Sequence, residues 1–315
     1  ADTSRARARR AMRGAQGERL VTGCEDNMVA LFDFPSGEFT GNATRSQTPV
    51  CDVAFSPTGA FVAAACDDGN IRHVAHETNQ LTMLKGHRDA VLHLAYDPLG
   101  RYLASSSADG NVRIWTTDDG ACAHHLLHGY GKLARGGEET SAPAWHPEGT
   151  LLAVPTPRGI RLLARGTWAA DGTLSGEGSC AEQTRCAFAS SGLYLAAFGL
   201  DRQLFVWDVR EKHTLANVRC DAPITSLAWS PVHNALAYAT ADGTMAVWDG
   251  VVPSHFPHPA IATHAEHAKG GAAGGGAGGA DDNEDALDAA ILEALGDADA
   301  DPAELAPTPA PARAA

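Results

Sequence analysis

His87 and Asp109 are the pair in this 315-residue chain best suited to moving a proton, because an imidazole held by a carboxylate can act as a general base. A hydrolase would add a nucleophile on a sharp turn, and no G-x-S-x-G elbow occurs. His124, His125 and His128 form one imidazole cluster, and His255, His258, His264 and His267 form another. Neither has carboxylates or cysteines at ligand spacing, so no metal site is predicted. Gly129-Tyr130-Gly131-Lys132 lacks the spacing and the Ser/Thr of a phosphate-binding loop. The seven cysteines are scattered, with no C-x-x-C pair, which argues against a zinc site or a disulfide framework and for a reducing compartment. The sequence therefore predicts no catalytic residue and no cofactor.

The elements that must position His87 and Asp109 are short strands. Gly86-His87 precedes a strand-like run, Val91 to Tyr96, then the turn Asp97-Pro98-Leu99-Gly100. Tyr102 to Ser107 follows, then Ala108-Asp109-Gly110-Asn111, then Val112-Arg113-Ile114-Trp115. Two short runs around Asp-Gly read as a hairpin. Leu92, Leu94 and Tyr96 share one face, as in a half-buried strand.

This unit repeats. Aligned on Trp115, the equivalent positions are Phe32, Val74, Leu163, Trp207 and Trp248, at steps of 42, 41, 48, 44 and 41 residues. An Asp stands six before the anchor in five of the six copies: Asp26, Asp68, Asp109, Asp201 and Asp242; the fourth copy has Pro157. The turn before the second strand recurs at Ser56-Pro57-Thr58-Gly59, Asp97-Pro98-Leu99-Gly100 and His146-Pro147-Glu148-Gly149.

A period of about 40–45 residues with Gly-His and Trp marks resembles the WD repeat, whose four strands make one blade of a β-propeller. The resemblance implies a buried relay in which Asp109 holds His87, His87 bonds Ser105, and Ser105 meets the Trp115 indole. Buried polar groups need such partners. The relay is incomplete elsewhere: Ala197 stands at the Ser position of the Trp207 copy, and Tyr238 at that of Trp248.

The expected fold is all-β: a WD-repeat β-propeller over residues 17–255, with a disordered Arg-rich arm at 1–16 and a linker and acidic tail at 256–315. The first copy reads as an inner hairpin only, Arg19 to Cys24 and Met28 to Phe34, with no strand before it. A ring must close to hide its strand edges. Seven blades with the first missing is the expectation, and a six-bladed ring the alternative. No run approaches 18 apolar residues, so no membrane-spanning helix is expected. The arm carries five Arg and one Asp with no apolar stretch behind them, which is not a secretory signal. The body and tail are acidic, within a net charge of −14. Phosphate binding prefers the opposite sign, so DNA contact from this segment is expected to be weak.

Some copies are more particular. "PAWHPEGTLLAVPTPRGIRLLARGTW", Pro143 to Trp168, has lost the turn Asp, and Pro155 closes its second strand. "ITSLAWSPVHNALAYATADGTMAVWDGVVP", Ile224 to Pro253, leads at once into an acidic spacer. This order resembles the N-terminal propeller of the replisome adaptor family, the chromosome-transmission-fidelity adaptors, which in animals carry WD repeats and an HMG box. The resemblance covers about residues 17–255. It implies a non-catalytic nuclear scaffold joining helicase to primase-polymerase, with roles at chromatin, in repair and in the mitotic cell cycle. The family's trimerising second propeller and its HMG box have no counterpart in these residues, so oligomerisation is expected to lie elsewhere. The alternative is a WD subunit of another nuclear complex, a histone-binding or ubiquitin-ligase substrate receptor.

The tail opens with Gly270–Ala280, flexible by composition. Residues 281–304 hold ten acids and no base. Within 283–295, Leu287, Ile291 and Leu295 fall at i, i+4 and i+8, and Gly296 follows. This is either a solvated spacer or a short helix, marginal alone in water, that docks its apolar stripe into a partner groove.

Overall fold

The structure is a computed structural model that describes residues 8–13, 19–127, 141–175, 183–199, 201–231 and 235–248. The expected tail and its docking stripe, Leu287, Ile291 and Leu295, lie outside the described residues. Every element described is a β-strand, arranged in six antiparallel sheets.

The first sheet holds β1 (Ala8–Arg13), β2 (Arg19–Cys24), β3 (Met28–Asp33) and β4 (Phe39–Arg45). The second holds β5 (Val50–Phe55), β6 (Phe61–Cys66), β7 (Asn70–Ala75) and β8 (Gln80–Lys85). The third holds β9 (Val91–Tyr96), β10 (Tyr102–Ser107), β11 (Asn111–Thr116) and β12 (Cys122–Leu127). The fourth holds β13 (Ala144–Trp145), β14 (Leu151–Thr156), β15 (Gly159–Ala164) and β16 (Ala170–Leu174). The fifth holds β17 (Gln183–Phe188), β18 (Tyr194–Gly199), β19 (Gln203–Asp208) and β20 (Thr214–Arg219). The sixth holds β21 (Ile224–Trp229), β22 (Leu236–Thr240) and β23 (Met245–Trp248). Each sheet is one repeat, and the fold is a β-propeller with these sheets as blades.

Two sequence expectations need correcting. The arm thought to be without structure contains β1, which pairs antiparallel with β2 from Ala8 opposite Cys24 to Arg13 opposite Leu20. The first blade is therefore four-stranded rather than a lone hairpin. Its sequence, Ala-Arg-Arg-Ala-Met-Arg, carries no apolar stripe, so the strand escapes a reading by periodicity. The second correction concerns Pro155, which lies inside β14, opposite Ile160. A proline gives the ladder no N–H. The neighbouring inner strand β13 is correspondingly only two residues long, pairing Ala144 with Ala153 and Trp145 with Leu152. Ala142, just before it, pairs instead with the fifth blade, donating its N–H to Thr184 O at 2.8 Å.

The core lies between blades rather than inside any one. Five apolar clusters each join two consecutive repeats. Trp115 faces the second blade with Ile71, Leu84 and Leu103. Its neighbour Ile114 faces the fourth with Leu152, Val154 and Leu163. Middle strands are thus buried on both faces, and β18 is buried at every residue. That is why their sequences read as continuous apolar runs rather than alternation. Close approach needs small residues at the seams. A Cβ on Gly23 would meet Val50 and Val53 side chains at 2.8 Å.

Candidate functional site

The third blade gathers all four relay residues. His87 Nδ1 lies 3.0 Å from Asp109 Oδ2, and His87 Nε2 lies 2.8 Å from Ser105 Oγ. Trp115 Nε1 donates to the same Ser105 Oγ at 2.8 Å. Asp109 also accepts the Arg88 N–H at 2.9 Å and the Asn111 N–H at 2.9 Å. Burial alone would raise the Asp109 carboxyl; these two main-chain donors and His87 outweigh it and hold the group below the usual carboxylate range.

Carboxylate, imidazole and hydroxyl in a row have the connectivity of a hydrolytic triad. Their surroundings do not suit that chemistry. Ser105 and its neighbours Ser106 and Ser107 are fully buried. The Ser105 oxygen faces the Trp115 indole N–H, where an attacking nucleophile would need a substrate carbonyl. The arrangement suits holding strands together.

The periodic aspartates share one geometry. Asp26, Asp68, Asp109, Asp201 and Asp242 each accept the N–H two residues on, at 3.0, 3.0, 2.9, 3.1 and 3.0 Å. Each closes the turn between the second and third strands of its blade. Asp242 also accepts Thr240 Oγ1 at 2.6 Å. Trp207 is fully buried, but its Nε1 has no hydrogen-bond partner among the described residues, because Ala197 offers none. Trp248 packs, half-buried, at the edge of the last cluster.

Of the histidine clusters, His124 and His125 lie on β12, and the other members lie outside the described residues. Among the described residues no three His, Cys, Asp or Glu side chains are placed to hold a metal. The six described cysteines are free thiols.

Among the described residues, two cavities outside the relay bear on function. One, of about 190 Å³, sits among the inner strands and is bordered by Asp52, His93, Arg185, Cys186 and Ser226. Asp52 is buried there and accepts the Leu94 N–H from the next blade at 2.9 Å. The other, of about 330 Å³, opens between the second and third blades beside His73 and Tyr96. Nothing in the residue types marks His73; the ladder alone finds it, as the residue before the second anchor.

Six sheets in register, five of them closed by the same aspartate turn and joined by shared apolar seams, define a WD-repeat propeller. Residues 4–247 match the family model described as the WDHD1 first WD40 domain, and the chain belongs to that family. It is 31% identical over 242 residues to WD repeat and HMG-box DNA-binding protein 1 of Mus musculus, covering 74% of this chain and 21% of that protein. The Homo sapiens protein of the same name is 30% identical over 239 residues, again 74% and 21%. Minichromosome loss protein 1 of Schizosaccharomyces pombe is 25% identical over 236 residues, 74% of this chain and 29% of that protein. The chain spans between a fifth and a third of the length of these relatives.

Proposed function

We propose that this chain is a non-catalytic protein-interaction platform of a DNA replication-fork adaptor, working in the nucleus on chromatin. The observation that carries the reading is the match of residues 4–247 to the first WD40 domain of that family. Relatives named for DNA binding and for minichromosome loss support a role in replication and in the mitotic cell cycle. The relay supports a scaffold rather than an enzyme, since this triad-like group is buried and committed to holding strands.

The partners in this reading are replisome and chromatin proteins: helicase, primase-polymerase and repair factors. DNA itself is a minor contact for this segment, because a net charge of −14 repels phosphate. Oligomerisation belongs to other regions of the adaptor. In this reading Leu287, Ile291 and Leu295 are the tail's partner-docking stripe, the alternative being that the tail is a solvated spacer. A pulldown unaffected by changing all three to Ala sinks that docking role.

The test is affinity purification of this chain from nuclear extract, with mass spectrometry of what is retained. Helicase, primase-polymerase or cohesion proteins are expected. Histones or ligase subunits in their absence would move the chain to another nuclear complex.

A further inference from the structure

The fifth residue after each anchor occupies the same turn in successive blades. Gly120 N–H bonds Thr116 O at 3.0 Å, and Trp168 N–H bonds Ala164 O at 2.8 Å. The flanking bonds Thr116 N–H to Ala121 O and Ala164 N–H to Ala169 O, both 2.9 Å, also correspond. Every occupant of this position in the first five blades has positive φ: Gly37 at 72°, Asn79 at 55°, Gly120 at 72°, Trp168 at 57° and Lys212 at 56°. A bulky residue there is an outlier.

The side chain at this position leans on the preceding blade. Trp168 stacks on His124 at 6.3 Å between centroids and meets Tyr102 edge-on at 5.0 Å, filling the seam between the third and fourth blades. Lys212 pairs with Asp171 of the fourth blade at 3.1 Å. Gly120 sends no side chain into the seam between the second and third; a Cβ there would meet Leu84 at 2.8 Å and Thr82 at 3.1 Å, and Thr82 also lines the 330 Å³ cavity of this seam. That volume is at the small end of ligand sites, which run from about 300 to 1,000 Å³. Phe61, at the Tyr102 position, and His73, at the Ile114 position, stack there nearly parallel, 4.8 Å apart at 8°. His73 is 3% exposed, yet its Nε2 has no hydrogen-bond partner among the described residues, and neither has the buried Tyr96 hydroxyl. Two buried polar atoms without partners beside one cavity leave hydrogen bonds there for an incoming group to make.

We propose that this cleft receives a tryptophan side chain presented by a partner protein, its ring edge-on to Phe61 as Trp168 is to Tyr102, and its N–H donated in the plane of the His73 ring to Nε2. The Tyr96 hydroxyl then bonds the partner's main chain. The neighbouring seam holds an indole at the equivalent place, which is why tryptophan is the occupant. It comes from a partner, since all six tryptophans of this chain sit in described strands and turns elsewhere. Burial lowers the His73 pKa, which keeps the ring neutral and able to accept. Asp118 on the cleft wall favours basic residues beside the inserted tryptophan. The cleft's chemistry does not depend on the replication reading.

The experiment titrates N-acetyl-tryptophanamide into the full chain and follows the histidine ring signals by NMR, with His73 assigned by their loss in His73→Gln. Expected is a saturable movement of the His73 signals, with affinity about tenfold above that for N-acetyl-leucinamide. It should disappear in Gly120→Trp, whose indole occupies the seam in cis once the Leu84 and Thr82 side chains shift to admit it. If that variant fails to fold, Tyr96→Phe should weaken binding severalfold with unchanged melting. Still His73 signals, equal affinity for the leucine compound, or full binding by Tyr96→Phe would each overturn the proposal.

Discussion

At the scale of single residues, the relay explains why Asp109 matters without any chemistry. Asp109→Ala removes acceptors from His87, Arg88 and Asn111 together, leaving the buried His87 imidazole without its carboxylate and the turn without its closing bonds. A loss of ~2–4 kcal/mol is expected in chemical denaturation, and an unchanged melting temperature would refute the role. The pH dependence follows from the lowered carboxyl pKa. Its stabilisation is present above the unfolded carboxylate pKa, near pH 4, and is lost as pH falls through the still lower folded value. The gap in melting temperature between the parent and Asp109→Asn should therefore close below about pH 4. The fifth blade gives the converse case. Ala197 and Phe205 pair as Ser105 and Arg113 do, so a hydroxyl at 197 would meet the orphaned Trp207 Nε1. Ala197→Ser should stabilise by about 1 kcal/mol. A shift of the urea midpoint in the destabilising direction would mean the site cannot accept the added atom.

At the scale of elements, most strands were legible because the anchor ladder survives even where anchors are Phe32, Val74 or Leu163. β1 was not, because its place is set by main-chain pairing with β2 while its Ala/Arg pattern carries no apolar face. The relay was legible from one well-kept copy. The cleft at His73 was not, because no residue type announces it, and only comparison of five turns shows where the neighbouring seam carries the Trp168 indole and this one carries Gly120. Trp168 poses the energetic question for those turns. Its left-handed backbone costs about 1–3 kcal/mol, whereas truncating a buried tryptophan costs about 3–5 kcal/mol. Packing against Tyr102, Trp145 and His124 should win. Trp168→Gly is therefore expected to lower stability by about 2 kcal/mol. Higher stability in that variant would show that strain dominates the turn.

At the scale of the whole molecule, blades in a repeat array need nearest-neighbour coupling to unfold together. The apolar seams supply most of it, and side chains reach across each one. Arg19 bonds His76 between the first two blades at 2.9 Å. Trp145 Nε1 donates to Ala95 O at 2.9 Å, His146 Nε2 lies 3.1 Å from Gly192 O, and Trp229 Nε1 donates to Ala187 O at 3.0 Å. A charged tether joins Arg165 of the fourth blade to Asp97 of the third, 2.8 Å apart, with Asp97 wholly buried. Asp97 also accepts the Tyr102 N–H at 2.7 Å, and the guanidinium lies over the Tyr102 ring at 5.3 Å. Arg165→Met keeps much of the packing volume but leaves a buried carboxylate without its cation, a loss of about 3 kcal/mol. Because the lost contact is between blades, the effect should reach beyond stability to cooperativity. The parent chain is expected to give coincident urea transitions by tryptophan fluorescence and far-UV dichroism. In Arg165→Met the two probes should separate and the apparent m-value fall, as the first three blades lose their grip on the later ones. Coincident transitions with an unchanged m-value and only a lower midpoint would mean that the apolar seam alone couples the third and fourth blades.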